Sequence, residues 1–307
     1  MNQLNEKPGT HSPKRKLSDN LLAVYFLTTL LIFLGQLLGS LIGFIPFMTS
    51  NDVSTTITMY LSFIGIWVIS ILYMRFTRKN RPILLAVGSK ASGNNVKNLL
   101  IGFFIGFGLN GICILMAWLH KDIILYYDSF EPVYFVTIFL AVFVQSSAEE
   151  LICRGFLYQR LRRSYRHPAV AVIGSSLLFA ILHLGNDGVT ALSVLNIFVV
   201  GVLFSFMVYY MDSLWCAMAM HTAWNFTQNI LFGLPNSGLI SPYSVFRLDA
   251  AAAKNSFAYH VDFGIEGTLF ADFILILACI CLYLYGKKSG KNSPDVWNYE
   301  ASEKYSS

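Results

Sequence analysis

The chain has 307 residues, of which 55% are hydrophobic and only 13% charged, and its formal net charge is +5. Soluble domains carry about 25% charged residues, so this composition excludes a protein whose surface mostly faces water. The basic residues lie in short connectors between apolar runs. That distribution argues against nucleic acid as a partner and is typical of helices oriented in a membrane.

Apolar runs long enough to cross a bilayer, about 20 residues each, recur along the chain. We predict an all-α polytopic integral membrane protein with about eight transmembrane helices and domain limits of 1–19 (polar tail), 20–286 (transmembrane domain) and 287–307 (polar tail). The predicted segments are Asn20–Met48, Thr56–Met74, Asn98–Leu119, Pro132–Phe156, Pro168–Leu184, Thr190–Met211, Leu214–Leu234 and Gly264–Tyr285. The long connector Pro235–Phe263 is polar enough that we expect it at the surface.

The distribution of lysine and arginine predicts the orientation of these helices. With the N-terminus in the cytoplasm, eighteen basic residues fall on the cytoplasmic side and three, Lys121, Arg247 and Lys254, on the opposite side. Cytoplasmic segments are enriched in Lys and Arg, so both termini are predicted to be cytoplasmic, which fits an even number of helices. The remaining basic residue, Arg154, belongs to a helix.

Ionisable and strongly polar groups cluster in three of the predicted helices. Charged groups in a hydrocarbon layer are costly unless they are paired or hydrated, and they are therefore candidates for function. The candidates are Glu149, Glu150 and Arg154 in the fourth segment, His183 in the fifth, and His221 and Asn225 in the seventh.

Helix geometry allows these groups to meet. If segments four and five form a hairpin with its tip near residues 164–167, a rise of 1.5 Å per residue puts both Glu149 and His183 roughly 21–23 Å from the tip. Glu150 with Arg154, and His221 with Asn225, are i,i+4 neighbours that share a helix face. Three helices can therefore present polar groups to one point.

These three patterns resemble the motifs of the CAAX-protease and bacteriocin-processing family, also called CPBP or Abi, of intramembrane proteases. The matching stretches are Glu149-Glu150-Leu151-Ile152-Cys153-Arg154, Phe179-Ala180-Ile181-Leu182-His183 and His221-Thr222-Ala223-Trp224-Asn225. The resemblance covers about residues 133–234. The turn Gly264-Ile265-Glu266-Gly267 looks similar to one that opens the family's last helix, but it is less specific.

The resemblance implies an endopeptidase that hydrolyses peptide bonds of membrane-associated peptides or proteins. Glu149 would act as the general base on a water molecule that His183 also holds. His221 and Asn225 would stabilise the oxyanion, each worth about 3–4 kcal/mol. Glu150 and Arg154 would be a supporting pair that orients the site.

The resemblance leaves the cofactor open, because the family is described both as zinc-dependent and as a metal-free glutamate protease. If a metal is present, Glu149, His183 and His221 are its candidate ligands, since two His and one Glu can bind zinc. We expect a metal-free enzyme. The partners implied are the lipid bilayer and a membrane-anchored peptide or protein substrate. We expect the protein in the plasma membrane of a bacterial cell.

Two other functions are compatible with a polytopic membrane protein. A non-catalytic scaffold of the same fold could bind other membrane proteins or confer bacteriocin immunity, although every catalytic position here is filled. A proton-coupled transporter could use Glu149 and His183 as a relay. Against it, corresponding halves of the sequence show no pair of helices broken by Gly or Pro.

Overall fold

The structure is a computed structural model, and it describes residues 20–45, 50–165, 167–290, 292–293 and 296–297. The predicted tail at 1–19 and most of the predicted tail at 287–307 lie outside the described residues. The α-helices in the described part are α1 (Leu21–Gly39), α2 (Asp52–Leu61), α3 (Ile64–Phe76), α4 (Ile83–Val87), α5 (Val96–Leu119), α6 (Pro132–Glu150), α7 (Tyr158–Ser164), α8 (Pro168–Leu182), α9 (Ala191–Met211), α10 (Leu214–Phe226) and α11 (Leu269–Ser289).

Shorter elements join these helices. Two π-helices, Leu151–Leu157 and Thr227–Leu231, directly continue α6 and α10. The 3₁₀-helices in the described part are Ser40–Phe44, Arg78–Asn80 and Ile265–Gly267. Strands β1 (Leu125–Tyr127) and β2 (Phe246–Leu248) form a two-stranded antiparallel sheet in which Tyr126 pairs with Arg247.

The molecule is an all-α polytopic membrane protein, as the composition predicts. All eight predicted apolar segments are helical in the described residues. Six helical stretches are long and apolar enough to cross a membrane: Leu21–Phe44, Asp52–Phe76, Val96–Leu119, Pro132–Ser164, Ala191–Met211 and Leu269–Ser289. The other two predicted segments contain α8, which is only 15 residues long, and α10, which carries polar site residues. The number of crossings and their orientation stay predictions.

Side-chain caps set the helix starts that hydrophobicity alone placed approximately. The side chains of Asn20, Asn51 and Asn95 accept hydrogen bonds from backbone N–H groups in the first turns of α1, α2 and α5. Such caps satisfy donors that have no partner within the helix. Likewise Thr268 caps α11, so this helix begins at Leu269 rather than at the predicted Gly264.

The fourth predicted segment is longer than expected. Helical structure continues through the π-helix and α7 to Ser164 rather than ending at Phe156. Of the three arginines at this end, Arg160 is fully buried and donates a hydrogen bond to Oδ1 of Asn80 at 2.8 Å, whereas Arg163 is exposed. The hydrogen bond to Asn80 therefore holds Arg160 inside the protein, although composition alone would place this arginine in solvent.

Glycines bring α5 and α10 into close contact. An ideal Cβ at Gly102 would lie 2.1 Å from the carbonyl oxygen of Cys216, and one at Gly106 would lie 2.2 Å from that of Met220. Small residues four positions apart let membrane helices approach at the backbone. This contact fixes the position of α10, the helix that carries His221 and Asn225.

The outer surface is apolar, and the buried region is unusually polar. Large side chains such as Leu22, Phe104 and Phe273 are mostly exposed, as expected of helices that face lipid. The connector 235–263 does not lie wholly at the surface as predicted, because Tyr259 and Phe263 are fully buried. Its aromatic residues are packed against the helices, which brings the loop next to the candidate site.

Candidate active site

A cavity of about 350 Å³ opens between the helices and contains the predicted catalytic residues. Glu149, His183, His221 and Asn225 all line it. Its apolar wall comes from α1, α3, α8 and α9 and the π-helix after α6, with the side chains Ile32, Ile66, Ile152, Leu182, Ile197 and Val200. The structure thus brings the four residues to one volume, with an apolar surface beside them.

The supporting residues Glu150 and Arg154 form a fully buried ion pair. Arg154 Nη1 donates to Oε1 of Glu150 at 3.0 Å, and its Nη2 donates to the carbonyl oxygen of Gly201 at 3.0 Å. The guanidinium lies over the ring of Phe179, 4.5 Å from the centroid, and 5.3 Å from that of Phe204. A cation between two aromatic faces and a carboxylate is stabilised without water.

His221 links the two adjacent glutamates. Its Nδ1 lies 3.0 Å from Oε1 of Glu150, and its Nε2 lies 3.7 Å from Oε2 of Glu149. An ionised carboxylate only accepts, so Nδ1 carries the proton of the shorter contact. The imidazole also stacks on Phe204, with centroids 5.1 Å apart. The orientation of this ring is therefore fixed from two sides.

Glu149 has one oxygen held and one free. Gln145, one turn earlier in α6, donates from Nε2 to Oε1 of Glu149 at 2.7 Å. The buried Oε2 accepts no hydrogen bond among the described residues. A buried carboxylate oxygen without a donor has the capacity to accept a hydrogen bond from a water molecule.

His183 lies at the cavity but not against Glu149. It is the C-cap of α8, and its Nδ1 lies 2.7 Å from the carbonyl oxygen of Phe179. A carbonyl only accepts, so Nδ1 carries a proton, and in the neutral imidazole Nε2 is the acceptor. No hydrogen bond or ion pair joins His183 to Glu149 in the described part of the chain; the imidazole close to that carboxylate is His221.

Asn225 follows His221 by one helical turn and belongs to a chain of amides. Its Nδ2 donates to Oγ of Ser146 at 3.2 Å and faces Oε1 of Gln145 at 3.5 Å. Its Oδ1 accepts from Nδ2 of Asn236 at 3.3 Å. The amide is therefore oriented with its donor group toward α6.

Sequence reasoning missed several residues around this cavity. Gln145 lies four positions before Glu149, so helical spacing alone could have pointed to it. Phe204 and Asn236 carried no recognisable signal, because one is an aromatic in an apolar helix and the other lies in a connector. Glu266 was noted only as part of a turn, yet it is buried and lines the cavity.

Burial raises the pKa of the Glu266 carboxyl above its ordinary value, and hydrogen bonds from Ser237 and Trp224 oppose that rise. Desolvation disfavours the charged form, whereas donors favour it. Among the described residues, all four groups that hydrogen-bond this carboxyl are donors, from Trp224, Asn236 and Ser237, which is the environment of a carboxylate.

The residues predicted as metal ligands do not form a ligand set in this arrangement. Within the described ranges, no three His, Cys, Asp or Glu side chains are grouped closely enough to hold a metal ion. Nε2 of His221 lies 3.7 Å from Oε2 of Glu149, but His183 makes no hydrogen bond or ion pair with either group among the described residues. Glu149, His183 and His221 therefore do not fit zinc as placed here.

The fold and this buried cavity define a polytopic membrane protein with an internal cluster of acidic, imidazole and amide groups. Residues 131–227, about a third of the chain, match the family model "Type II CAAX prenyl endopeptidase Rce1-like". This match confirms the resemblance to CAAX proteases that the motifs predicted. It spans Glu149, His183 and Asn225 and stops before the connector and Glu266. No curated protein matches the chain.

Proposed function

We propose that this protein is an intramembrane endopeptidase that hydrolyses peptide bonds in membrane-associated peptides or protein tails. The observation that carries the proposal is the free Oε2 of Glu149, which lies 3.7 Å from Nε2 of His221 inside a cavity that Asn225 also lines. A base and oxyanion donors close to one reacting position are the requirements of acyl transfer to water. The family match over residues 131–227 supports the same reaction class.

Glu149 is the general base in this proposal. Gln145 fixes one carboxylate oxygen, which leaves Oε2 without a donor at the edge of the cavity that Glu149 lines. That oxygen takes a proton from water as the water oxygen bonds to the scissile carbonyl carbon. In its neutral form, with the proton on Nδ1, His183 accepts a hydrogen bond at Nε2 from the second O–H of the water and holds the water in place. When the C–N bond breaks, Glu149 returns its proton to the leaving amine.

His221 and Asn225 stabilise the oxyanion of the tetrahedral intermediate. Donors already aimed at the developing charge contribute about 3–4 kcal/mol each. Asn225 donates from Nδ2, and protonated His221 donates from Nε2 while Nδ1 stays bonded to Glu150. Glu150 and Arg154 hold that ring in place, so their role is supporting.

The proposed substrate is a membrane-anchored peptide or protein whose cleaved segment reaches the cavity from the bilayer. The apolar cavity wall suits apolar side chains next to the scissile bond, and the matched family supports a substrate of the CAAX prenyl type. The proposed location is the plasma membrane of a bacterial cell. Residues 20–286 form the protease domain in this proposal.

We propose a metal-free reaction, since the candidate ligands do not converge as a set. Purified protein treated with a strong chelator should keep its cleavage rate, and added zinc should not raise that rate. Loss of cleavage with the chelator and recovery with zinc would show that the ligands rearrange around a metal.

The proposal is tested with purified protein in proteoliposomes and prenylated and unprenylated tail peptides, with products identified by mass spectrometry. The Glu149→Gln variant should lose cleavage by about 10²-fold or more, because the base is removed. Glu131→Gln is the matched control, since this exposed glutamate precedes α6. Peptide binding without cleavage in wild type would favour the scaffold or immunity function instead.

A further inference from the structure

The buried carboxylate of Glu266 collects four hydrogen-bond donors next to the cavity. Its Oε1 accepts from Nε1 of Trp224 and from Nδ2 of Asn236, each at 3.0 Å. Its Oε2 accepts from the backbone N–H of Ser237 at 2.6 Å and from the Ser237 hydroxyl at 2.8 Å. The proposed mechanism uses none of these groups.

An ionised carboxylate fixes which way a neighbouring amide points. Glu266 only accepts, so the side-chain NH₂ of Asn236, not its oxygen, must face Glu266. The same NH₂ group has a second hydrogen, and it donates this one to Oδ1 of Asn225 at 3.3 Å. The NH₂ of Asn225 is then directed away from Asn236, toward Ser146 and Gln145 on α6.

Trp224 strengthens the same connection from the helix side. It immediately precedes Asn225 in α10, and its indole N–H is bound to the carboxylate that orients Asn236. Glu266 thus contacts both the helical turn that carries Asn225 and the loop that orients the Asn225 amide. Both contacts are buried, so water competes little for the donors.

We propose that Glu266, acting through Asn236, is a positioning residue that sets the direction of the Asn225 amide and so makes it an oxyanion donor. This inference rests on the proposed function, because it assigns a cause to the donor role of Asn225. Without the carboxylate, Asn236 is free to reverse its amide and to place its oxygen against Oδ1 of Asn225. Ser146 and Gln145 would still hold the Asn225 amide from the α6 side, but repulsion between the two oxygens would turn it out of its alignment as an oxyanion donor.

The kinetic test compares Glu266→Gln with wild type and with the exposed-residue control Glu131→Gln. A glutamine at 266 can donate as well as accept, so it removes the directional constraint while preserving shape. We expect kcat to fall about ten- to a hundredfold with KM within about twofold, because a misdirected group affects the transition state more than binding. Unchanged thermal unfolding in detergent would show that the fold is intact.

A double-mutant cycle separates positioning from a general structural effect. In an Asn225→Ala background, Glu266→Gln should cause no further loss of kcat, since the group being oriented is already gone. Losses that multiply would overturn the proposal. If Glu149→Gln abolishes cleavage but Glu266→Gln cleaves at the wild-type rate, the positioning role fails while the proposed function stands.

A second measurement is independent of cleavage. Protein labelled with ¹⁵N at asparagine side chains gives amide signals that Asn225→Ala and Asn236→Ala variants assign. Glu266→Gln should shift the side-chain amide signals of both Asn225 and Asn236. Ser237→Ala deletes only a hydroxyl donor, so it should leave the Asn225 signal nearly unchanged. Unchanged Asn225 and Asn236 signals in Glu266→Gln would overturn the inference even if no substrate is cleaved.

Discussion

Nδ1 of His221 lies 3.0 Å from Oε1 of Glu150, so the imidazole on α10 is tied to the end of α6. The same oxygen accepts from Nη1 of Arg154, also at 3.0 Å. A single carboxylate therefore holds the orientation of His221 and neutralises a buried cation. The i,i+4 pair that spacing predicted has a third member from another helix.

Glu150→Gln should destabilise the fold and slow cleavage together. Removing one partner of a buried ion pair leaves Arg154 uncompensated, at a cost of about 3–5 kcal/mol. Thermal unfolding in detergent measures the stability, and peptide cleavage measures the activity. The double variant Glu150→Gln/Arg154→Met should recover part of the stability but not the rate, because His221 still lacks its anchor. Recovery of both would contradict the anchoring role.

Gly201→Ala should displace the Arg154 guanidinium. A Cβ at this position would lie 2.8 Å from Nη2 of Arg154 and 3.1 Å from Cβ of Ser176, so something must move. Overpacking of this kind costs about 1–3 kcal/mol. Gly111→Ala, where a Cβ meets no atom within 4 Å, is the matched control and should be neutral or slightly stabilising. Equal unfolding temperatures for the two variants would argue against the close contact.

Gly106→Ala should push α10 away from α5 and disturb the site without touching it. The added Cβ would lie 2.2 Å from the carbonyl oxygen of Met220, the residue directly before His221. Because this oxygen belongs to the backbone, it cannot rotate away as a side chain can. We expect a stability loss of about 1–3 kcal/mol and slower cleavage. Gly108→Ala, on an open face of the same helix, should retain both properties. A fully active Gly106→Ala protein would contradict the helix contact.

Asp212→Asn should change how stability depends on pH. Asp212 joins α9 to α10 in a left-handed conformation (φ 53°), and its Oδ2 accepts from the N–H and hydroxyl of Ser92. Burial raises the pKa of Asp212 above its ordinary value of 3.8, while the bonds from Ser92 oppose the rise. Asparagine tolerates this conformation and can accept the same bonds without charge.

The sign follows from the direction of that shift. A raised pKa in the folded state means that folding is favoured by protonation, so this contribution is full below the unfolded pKa and is lost as pH rises through the folded one. Wild type should therefore lose stability relative to Asp212→Asn as the pH rises above about 4 and through the raised pKa of Asp212 in the folded state. Unfolding temperatures of both proteins across this range measure the difference. A constant difference would mean that Asp212 does not titrate as inferred.

Helix positions were predictable from the sequence because apolar runs of membrane length have few alternatives. Their ends were less so, since hydropathy does not detect caps such as Thr268 or the buried Arg160–Asn80 bond that extends the fourth segment. Polar residues at helical spacing correctly predicted that Glu149, His183, His221 and Asn225 share a volume. Their catalytic roles stay proposals.

The partners within that volume could not be read from spacing. Counting residues from the hairpin tip predicted that His183 lies beside Glu149. Such a count gives the depth of a residue in the membrane but not its direction around the helix axis. The imidazole beside Glu149 belongs to His221 instead. Asn236 and Glu266 reach the site from a connector and a short 3₁₀-helix, where no periodicity relates side chains to the core. Their contribution became visible only with the fold of the loop.

The two π-helices have a consequence for comparing this chain with its relatives. Each begins within a few residues of the site, after Glu150 and after Phe226, and holds an extra residue in its turn relative to an α-helix. One residue corresponds to about 100° of rotation in an α-helix. A relative that lacks the bulge should align with a one-residue gap within 151–157 or 227–231. An ungapped alignment across 151–157 would rotate the assigned faces of α7, the helix that directly follows.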